Sequence, residues 1–436
     1  MQINFVKKGQ MLLLLSFAVL VLVGALLLML PGVYRGELKF IDAIFMACSS
    51  VCLCGLSTVN ITDFSFGGQI LLVLFIQIGC LGIMTLTAML LLVLGKGLSF
   101  SNTLMMSNLN DRFTLRGAEM LIRTMVHYTL ITEACGAILM FPGLLFQGFG
   151  FFPSLWYAIF LSVSSFCNAG ISPVAGSMVN VGGFVQAISI GLMIMGGLGV
   201  YVVYDIIQNL QHRSFRLRLH SRIVLITTVV LLAGGTFLLW MLSRADAESV
   251  QLSWYEALFM SASSRTTGLM TVDPGTLTPA CQMLLIFLML IGGSPGSAAG
   301  GMKTTTFAVV CAALATSFKG EKEVLMGKRT IPVDNVLRAF TIMVLFILIV
   351  CGGALLLNSF SPEIEAVKCY FESASALSAT GLSTGATTTL WDVWGKLLLI
   401  VFMFAGRVGP LTIILFFSVR EKHYKLRYPE EQVIVG

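Results

Sequence analysis

The sequence predicts an all-α, multi-pass membrane protein built from four similar repeats, and three observations predict this class. Hydrophobic residues make up 57% of the 436 residues and charged residues only 11%, whereas a soluble domain carries about 25% charged residues. Apolar runs of membrane-spanning length recur along the chain. A shorter apolar segment followed by a glycine turn occurs four times between them. The composition excludes a nucleic-acid binder, a secreted disulfide scaffold and a disordered protein.

Eight apolar stretches are the predicted transmembrane spans. A helix needs about 20 residues to cross a hydrocarbon core of about 30 Å. The eight stretches lie near residues 11–30, 69–94, 119–141, 184–207, 222–242, 281–318, 337–358 and 395–419. Shorter apolar segments lie at 40–52, 154–166, 253–264 and 366–377. Segments of that length are typical of re-entrant helices, which enter and leave the membrane on one face.

The predicted unit is therefore a long helix, a short helix, a glycine turn and a second long helix. We place the four repeats at residues 1–95, 96–211, 212–320 and 321–436, the last of which ends in a cytoplasmic tail. All four repeats share one topology, so they can surround a single axis.

The basic residues predict the orientation of the chain. Most of the 27 Lys and Arg lie at the N-terminus, between the repeats and in the C-terminal tail, and few lie beside the short segments. Because Lys and Arg concentrate in cytoplasmic loops, both termini are expected in the cytoplasm and the protein in the plasma (inner) membrane of a bacterium. The basic loops are expected to contact anionic membrane lipid.

Each short segment ends in a turn that contains one glycine. The four turns read Cys52-Leu53-Cys54-Gly55, Cys167-Asn168-Ala169-Gly170, Arg265-Thr266-Thr267-Gly268 and Ser378-Ala379-Thr380-Gly381. We call them turns 1 to 4. Leu or Ile follows every one of these glycines, and no Asp or Glu lies within three residues of any of them.

These turns predict one central cation pore. Non-helical backbone within a membrane is tolerated only where protein covers it or where it lines a water-filled cavity. Glycine can adopt backbone angles that turn consecutive carbonyls toward one axis, and a ring of carbonyls can replace the hydration shell of a cation. The short helices would also direct their negative C-terminal ends toward the pore. The alternative is that the small residues serve helix packing.

The sixth predicted span is interrupted by a glycine-rich loop (292–305). Its notable residues are Gly292, Gly293, Gly296, Gly300, Gly301 and Lys303. So many glycines, with Pro295 among them, are incompatible with a continuous helix, so the loop is expected to line a cavity.

Two arginines lie within the predicted membrane region. Arg407 lies inside the last predicted span, where an arginine costs about 2.5–3.5 kcal/mol on insertion scales and indicates function. The alternative for Arg407 is a structural role in which helix-end carbonyls satisfy it. Arg265 is expected to point behind turn 3 and to pair with an acid such as Asp273 or Glu256.

With these motifs, the whole chain resembles the Trk/Ktr/HKT superfamily of potassium transporters, and most closely the membrane subunits of Ktr uptake systems. The resemblance implies K⁺ uptake through a filter that contains Gly55, Gly170, Gly268 and Gly381. It implies that the loop 292–305 is a gate below the filter and that Arg407 contacts this loop as a positive barrier. Cys54 and the Asn168-Ala169 pair depart from the pattern of the family, in which a hydroxyl residue precedes the glycine.

The resemblance also implies partners. It predicts a homodimer with one pore per protomer and a cytosolic nucleotide-binding RCK subunit that regulates it. No covalent cofactor is expected, and K⁺, or alternatively Na⁺, is the ion at the filter carbonyls.

Two other function classes are alternatives for a multi-pass membrane protein. The first is an alternating-access carrier, such as a Na⁺-coupled K⁺ symporter, although carriers often use inverted repeats. The second is a membrane-embedded enzyme. It would need a motif such as H-E-x-x-H or a serine nucleophile with a histidine base, and the four histidines lie in neither context. We therefore predict that the chain is not an enzyme.

Overall fold

The structure is a computed structural model that describes residues 2–94, 115–211, 217–245, 249–321, 323–327, 329–389 and 392–409. The predicted cytoplasmic tail and the end of the last predicted span lie outside the described residues. The predicted boundary at 95/96 also lies outside them. The repeat boundaries therefore stay predictions, although the elements within each repeat can be compared.

The described part of the chain is mainly helical. The helices are α1 (Gln2–Leu28), α2 (Phe40–Val51), α3 (Phe66–Leu94), α4 (Leu115–Phe146), α5 (Phe151–Phe166), α6 (Gly183–Leu198), α7 (Val200–Gln211), α8 (Leu219–Leu242), α9 (Trp254–Ser263), α10 (Pro279–Leu290), α11 (Thr304–Phe318), α12 (Val333–Phe360), α13 (Ala366–Ser378), α14 (Ala386–Thr389) and α15 (Val393–Val408). A small antiparallel hairpin of β1 (Leu325–Met326) and β2 (Arg329–Thr330) was not predicted.

The order of long helix, short helix, turn and long helix recurs along the described chain. The short helices α2, α5, α9 and α13 match the four predicted short segments closely, with ends that differ by at most three residues. Three described helical segments are long and apolar enough to cross a membrane, namely Arg123–Phe146, Leu219–Leu242 and Val333–Phe360. Shorter apolar helices account for much of the remaining predicted spans, so the pattern of eight crossings stays a prediction.

One predicted span is not a single helix. The stretch 184–207 divides into α6 and α7, whose axes differ by 98°. The break falls at Gly199, where φ is +77°. Such an angle is readily adopted by glycine and ends a right-handed helix.

The break in the sixth predicted span is close to its predicted position. Helix α10 ends at Leu290 and α11 begins at Thr304. The last two residues of the predicted loop 292–305 are therefore helical.

Glycines in the second long helices bring these helices close to the short helices. A methyl group added to Gly79, Gly196 or Gly406 would overlap the carbonyl oxygen of Val51, Phe166 or Leu377, respectively. Each of these carbonyls lies four residues before the glycine of turn 1, 2 or 4. Close backbone approach thus fixes the end of the short helix, and with it the turn.

Candidate cation pathway

The four turns meet in a closed ring that follows the order of the chain. A methyl group added to each turn glycine would lie within 3.0 Å of a carbonyl oxygen of the next turn. The pairs are Gly55 with Ala169 O, Gly170 with Thr267 O, Gly268 with Thr380 O and Gly381 with Cys54 O. Each carbonyl belongs to the residue immediately before the next glycine. Because turn 4 contacts turn 1, the ring is complete.

The backbone of all four turns alternates in handedness. Positive φ angles occur at the glycine, from +71° to +94°, and at the residue two positions earlier, from +53° to +78°. Those earlier residues are Leu53, Asn168, Thr266 and Ala379. A left-handed conformation costs a non-glycine residue about 1–3 kcal/mol and persists only where its surroundings impose it. All four side chains are buried, as that requirement predicts.

Alternating handedness places successive amides on one side of the chain and carbonyls on the other. The hydrogen bonds of turns 1 and 4 follow this arrangement. The amides of Gly55 and Gly381 donate to the hydroxyls of Ser49 and Ser375, at 3.1 and 3.0 Å, in the short helices behind the ring. The carbonyl before each of these glycines instead faces a neighbouring turn. These carbonyls therefore point toward the neighbouring turns and away from the short helices.

Turn 3 differs in its register by one residue. The amides of both Thr267 and Gly268 donate to Ser263 O, at 2.9 and 3.1 Å. In turn 1, by contrast, the corresponding carbonyl is one residue farther from the glycine, at Ser49. The Thr267 hydroxyl also donates to Asn168 Oδ1 at 2.5 Å, so side chains as well as backbone join turns 2 and 3.

Arg265 does not form the predicted ion pair. Its guanidinium donates to Thr228 O and Gly292 O at 3.5 and 3.4 Å. Among the described residues it forms no salt bridge, and Glu256 instead completes the capping box of α9. The unwound loop supplies a free carbonyl at Gly292, which takes the place of an acid.

The loop of the third repeat lies directly against the turns. Gly292 approaches Thr266, and Gly300 approaches Ser378 O and the Ala379 side chain. The ends of the loop are joined by hydrogen bonds from Gly292 N to Met302 O at 2.9 Å and from Met302 N to Leu290 O at 3.1 Å. Gly293 and Gly296 are buried and Gly301 is half-buried. The loop therefore fills the space next to the ring.

The loop is also bonded to the break between α6 and α7. Four hydrogen bonds join them: Ser294 N to Gly197 O (2.9 Å), Ala298 N to Gly196 O (3.3 Å), Val200 N to Gly296 O (3.3 Å), and the Ser294 hydroxyl to Leu198 O. A methyl group on Gly199 would meet Pro295 O at 2.7 Å. The second and third repeats each contain one departure from helical backbone, and the backbone groups freed in one bond to those freed in the other.

Two basic side chains, Arg407 and Lys303, donate hydrogen bonds to carbonyls of this loop. Arg407 is buried, and its guanidinium donates to Ala298 O in the loop and to Gly79 O, at 3.4 Å, in the first repeat. Lys303 Nζ donates to Ala299 O at 2.7 Å. Arg407 thereby connects three repeats, since it lies itself in the fourth.

Two buried carboxylates have partners that sequence reasoning missed. Glu133 accepts from Gln77 Nε2 at 3.1 Å and from Cys167 Sγ at 3.3 Å, behind turn 2. Glu372 accepts from the segment that follows Gly381. An acid inside an apolar short helix was the available signal for Glu372. Among the described residues, no cluster of three or more His, Cys, Asp or Glu could hold a metal ion.

Comparison with known proteins identifies the family. The model of the family described as "TrkH: Cation transport protein" matches residues 6–426. The Ktr system potassium uptake protein B of Vibrio alginolyticus is 34% identical over 97% of this chain and 94% of that protein. The potassium/sodium uptake protein NtpJ of Enterococcus hirae is also 34% identical, over 97% and 96%.

A solved structure agrees with the fold. The potassium transporter TrkH from Vibrio parahaemolyticus matches 94% of this chain and 85% of its own, with a TM-score of 0.76 at 18% sequence identity. The predicted resemblance and the expectation of a transporter rather than an enzyme are thus confirmed. The chain belongs to the TrkH family of cation transport proteins.

Proposed function

We propose that the chain takes up K⁺ across the plasma membrane through a channel-like pore whose selectivity filter is the ring formed by turns 1 to 4. One observation carries this proposal: four turns with positive φ at the same two positions close on one another, and a carbonyl of each turn lies against the glycine of its neighbour. Carbonyl oxygens can replace the hydration shell of K⁺. The relatives from Vibrio alginolyticus and Enterococcus hirae are both named as potassium uptake proteins.

The electrostatics of the ring favour a cation without a carboxylate in the turns. Helices α2, α5, α9 and α13 each end within two residues of the start of a turn. A helix C-terminus carries roughly half a negative charge. Four such ends attract a cation, while the carbonyls discriminate between cations.

The glycine-rich loop is the proposed gate. Opening it requires the loss of its bonds to residues 196–200 and to Arg407, since these hold it against the ring. Net contributions of about 0.5–1.5 kcal/mol for each hydrogen bond make a closed loop stable but reversible. The Arg407 guanidinium adds a positive barrier to K⁺ below the filter.

The proposed assembly is a homodimer with one pore per protomer, regulated by a cytosolic nucleotide-binding RCK subunit. Relatives are named as components of a Ktr system, which supports a second component. Both termini and the basic loops between the repeats would face that subunit and the anionic lipid of the inner leaflet.

The test is K⁺ and Na⁺ flux through the purified protein in liposomes, for the wild type, Gly381→Ser and Gly148→Ser. Gly148 has a φ of +87° and no atom within 4 Å of an added methyl, so it reproduces the backbone strain without the clash. We expect K⁺-selective flux that Gly381→Ser makes unselective and Gly148→Ser leaves selective. Selective flux that is indifferent to Gly381 would contradict the filter. If the wild type is silent, the cytosolic subunit is added before the measurement is repeated.

The second candidate function is Na⁺-coupled K⁺ symport. The word "potassium/sodium" in the name of the Enterococcus hirae relative favours testing it. The same liposomes are measured with and without a Na⁺ gradient. A channel moves K⁺ down its own gradient in either case, whereas a symporter accumulates K⁺ only when Na⁺ flows with it.

A further inference from the structure

Glu372 is a buried carboxylate, and the hydrogen bonds of its side chain all come from one short segment, residues 383–387. Its Oε1 accepts from Ser383 Oγ at 2.7 Å, from Thr384 N at 2.9 Å and from Thr384 Oγ1 at 3.2 Å. Its Oε2 accepts from Thr387 Oγ1. The side chain is 0% exposed, and within the described part of the chain it forms no ion pair. Three polar residues that follow Gly381 therefore converge on one acid.

The other three repeats have no counterpart of this acid. Glu372 lies nine residues before Gly381, and the equivalent positions hold Met46, Leu161 and Phe259. All of these apolar side chains are fully buried. In three repeats, apolar packing alone holds the side chain at this position. Only the fourth repeat has a carboxylate there.

The fourth repeat also differs from the others in the segment that follows its turn. Four residues beyond the glycine, the first three repeats carry Val59, Val174 and Val272, which pack on the core. The fourth repeat carries Gly385, which is exposed and has no side chain to pack. The polar residues around it are buried or half-buried. Hydrogen bonds to Glu372 thus take over the anchoring that a valine provides elsewhere.

We propose that Glu372 is the positioning residue of turn 4, and that by fixing residues 383–387 it sets the selectivity of the pore for K⁺ over Na⁺. Thr384 lies only three residues from Gly381, so fixing its amide limits how far the glycine and its carbonyl can move. Turn 4 contacts both turn 3 and turn 1, so a displacement there alters half of the ring contacts. This inference rests on the proposed filter.

The test compares Glu372→Gln with Thr387→Val in purified liposome flux. The amide of Gln keeps the shape but loses the charge and one acceptor. Thr387→Val keeps the acid and removes one donor at nearly constant volume. We expect the K⁺/Na⁺ permeability ratio to fall about tenfold in Glu372→Gln and about threefold in Thr387→Val, with K⁺ flux retained. Because both act on one bonded unit, the double variant should be no worse than Glu372→Gln alone.

The control is Leu161→Met, a volume-conserving change at the equivalent position of the second repeat, which should leave the ratio unchanged. An unchanged ratio in folded Glu372→Gln would overturn the proposal. If that variant does not fold, an unchanged ratio in Thr387→Val overturns it instead. Gly381→Ser is measured alongside: if it leaves the ratio intact, the filter itself fails, whereas a response to Gly381→Ser without one to Glu372→Gln refutes only the role of Glu372.

Discussion

The four glycine turns share one pattern of positive φ angles, although turn 3 differs in hydrogen-bond register, whereas the long helices that follow them are built differently. Every turn has positive φ at its glycine and two residues earlier. Of the long helices, α3 is continuous over 29 residues, the second is bent at Gly199, the third is interrupted by the loop, and α15 carries Arg407. The repeats thus agree at the ring and diverge beside it.

This difference separates two requirements. A ring that surrounds one ion needs four equivalent sets of carbonyls, because an ion on the axis contacts all of them. A gate needs only one segment that can move, together with partners that hold it. In the proposed gate, the bend at Gly199 and the guanidinium of Arg407 would be such partners, since each bonds the glycine-rich loop from a different repeat.

The largest effect is expected from a substitution that makes one turn differ from the other three. In Gly268→Ala, the added methyl overlaps Thr380 O and approaches Gly381 Cα, while φ stays at +82°. The left-handed angle alone costs about 1–2 kcal/mol, and the overlap must move backbone of turn 4. We expect the K⁺/Na⁺ permeability ratio to fall about 100-fold, measured by liposome flux. Gly148→Ala is the control, and an equal ratio in both variants would contradict the shared ring.

A smaller effect is expected where the repeats diverge. Arg407→Met removes the charge and the bonds to Ala298 O and Gly79 O. We expect K⁺ conductance to rise about tenfold, because about 1.4 kcal/mol of barrier corresponds to that factor, with selectivity unchanged. Current recordings check this. Lys396→Met on the same helix is the control, since Lys396 pairs with Asp42 at 2.7 Å away from the loop. Unchanged rectification and conductance in Arg407→Met would refute the barrier.

The smallest effect concerns the contact between short and long helices. Gly196→Ala places a methyl against Phe166 O, whereas Gly191→Ala in the same helix meets nothing within 4 Å. We expect Gly196→Ala to lose about 1–3 kcal/mol of stability through overpacking, and Gly191→Ala to gain up to about 1 kcal/mol from helix propensity. Thermal unfolding of the two variants in detergent checks this. Equal midpoints would show that the close approach at Gly196 does not constrain the structure.

Much of the fold follows from sequence because its signals are local. Apolar length distinguishes long from short helices, and the recurrence of one glycine after each short helix locates the turns. The ends of the four short helices were therefore predicted to within three residues. The bend at Gly199 was not predicted, because Gly196, Gly197 and Gly199 lie in an apolar run that reads as one span. Three glycines in four residues were the signal.

The partners of the buried charged residues were not predicted, for a different reason. Arg265 was expected to bond an acid, yet it bonds two carbonyls, one of which, Gly292 O, is available because the glycine-rich loop is unwound. Glu133 and Glu372 find amide, thiol and hydroxyl donors from segments that fold back beside them. Sequence spacing gives the residue types of a buried site, but its pairings depend on contacts between repeats.

The closed ring has a consequence for the synthesis of the protein. Turn 1 gains its neighbour Gly381 only after more than 300 further residues have been made. At about 5–20 residues per second, the nascent first repeat waits roughly 15–65 s for the contact between turn 1 and Gly381. Insertion into the bilayer must therefore tolerate an open arc of two or three repeats. The last repeat therefore closes the ring, since turn 4 contacts both turn 3 and turn 1.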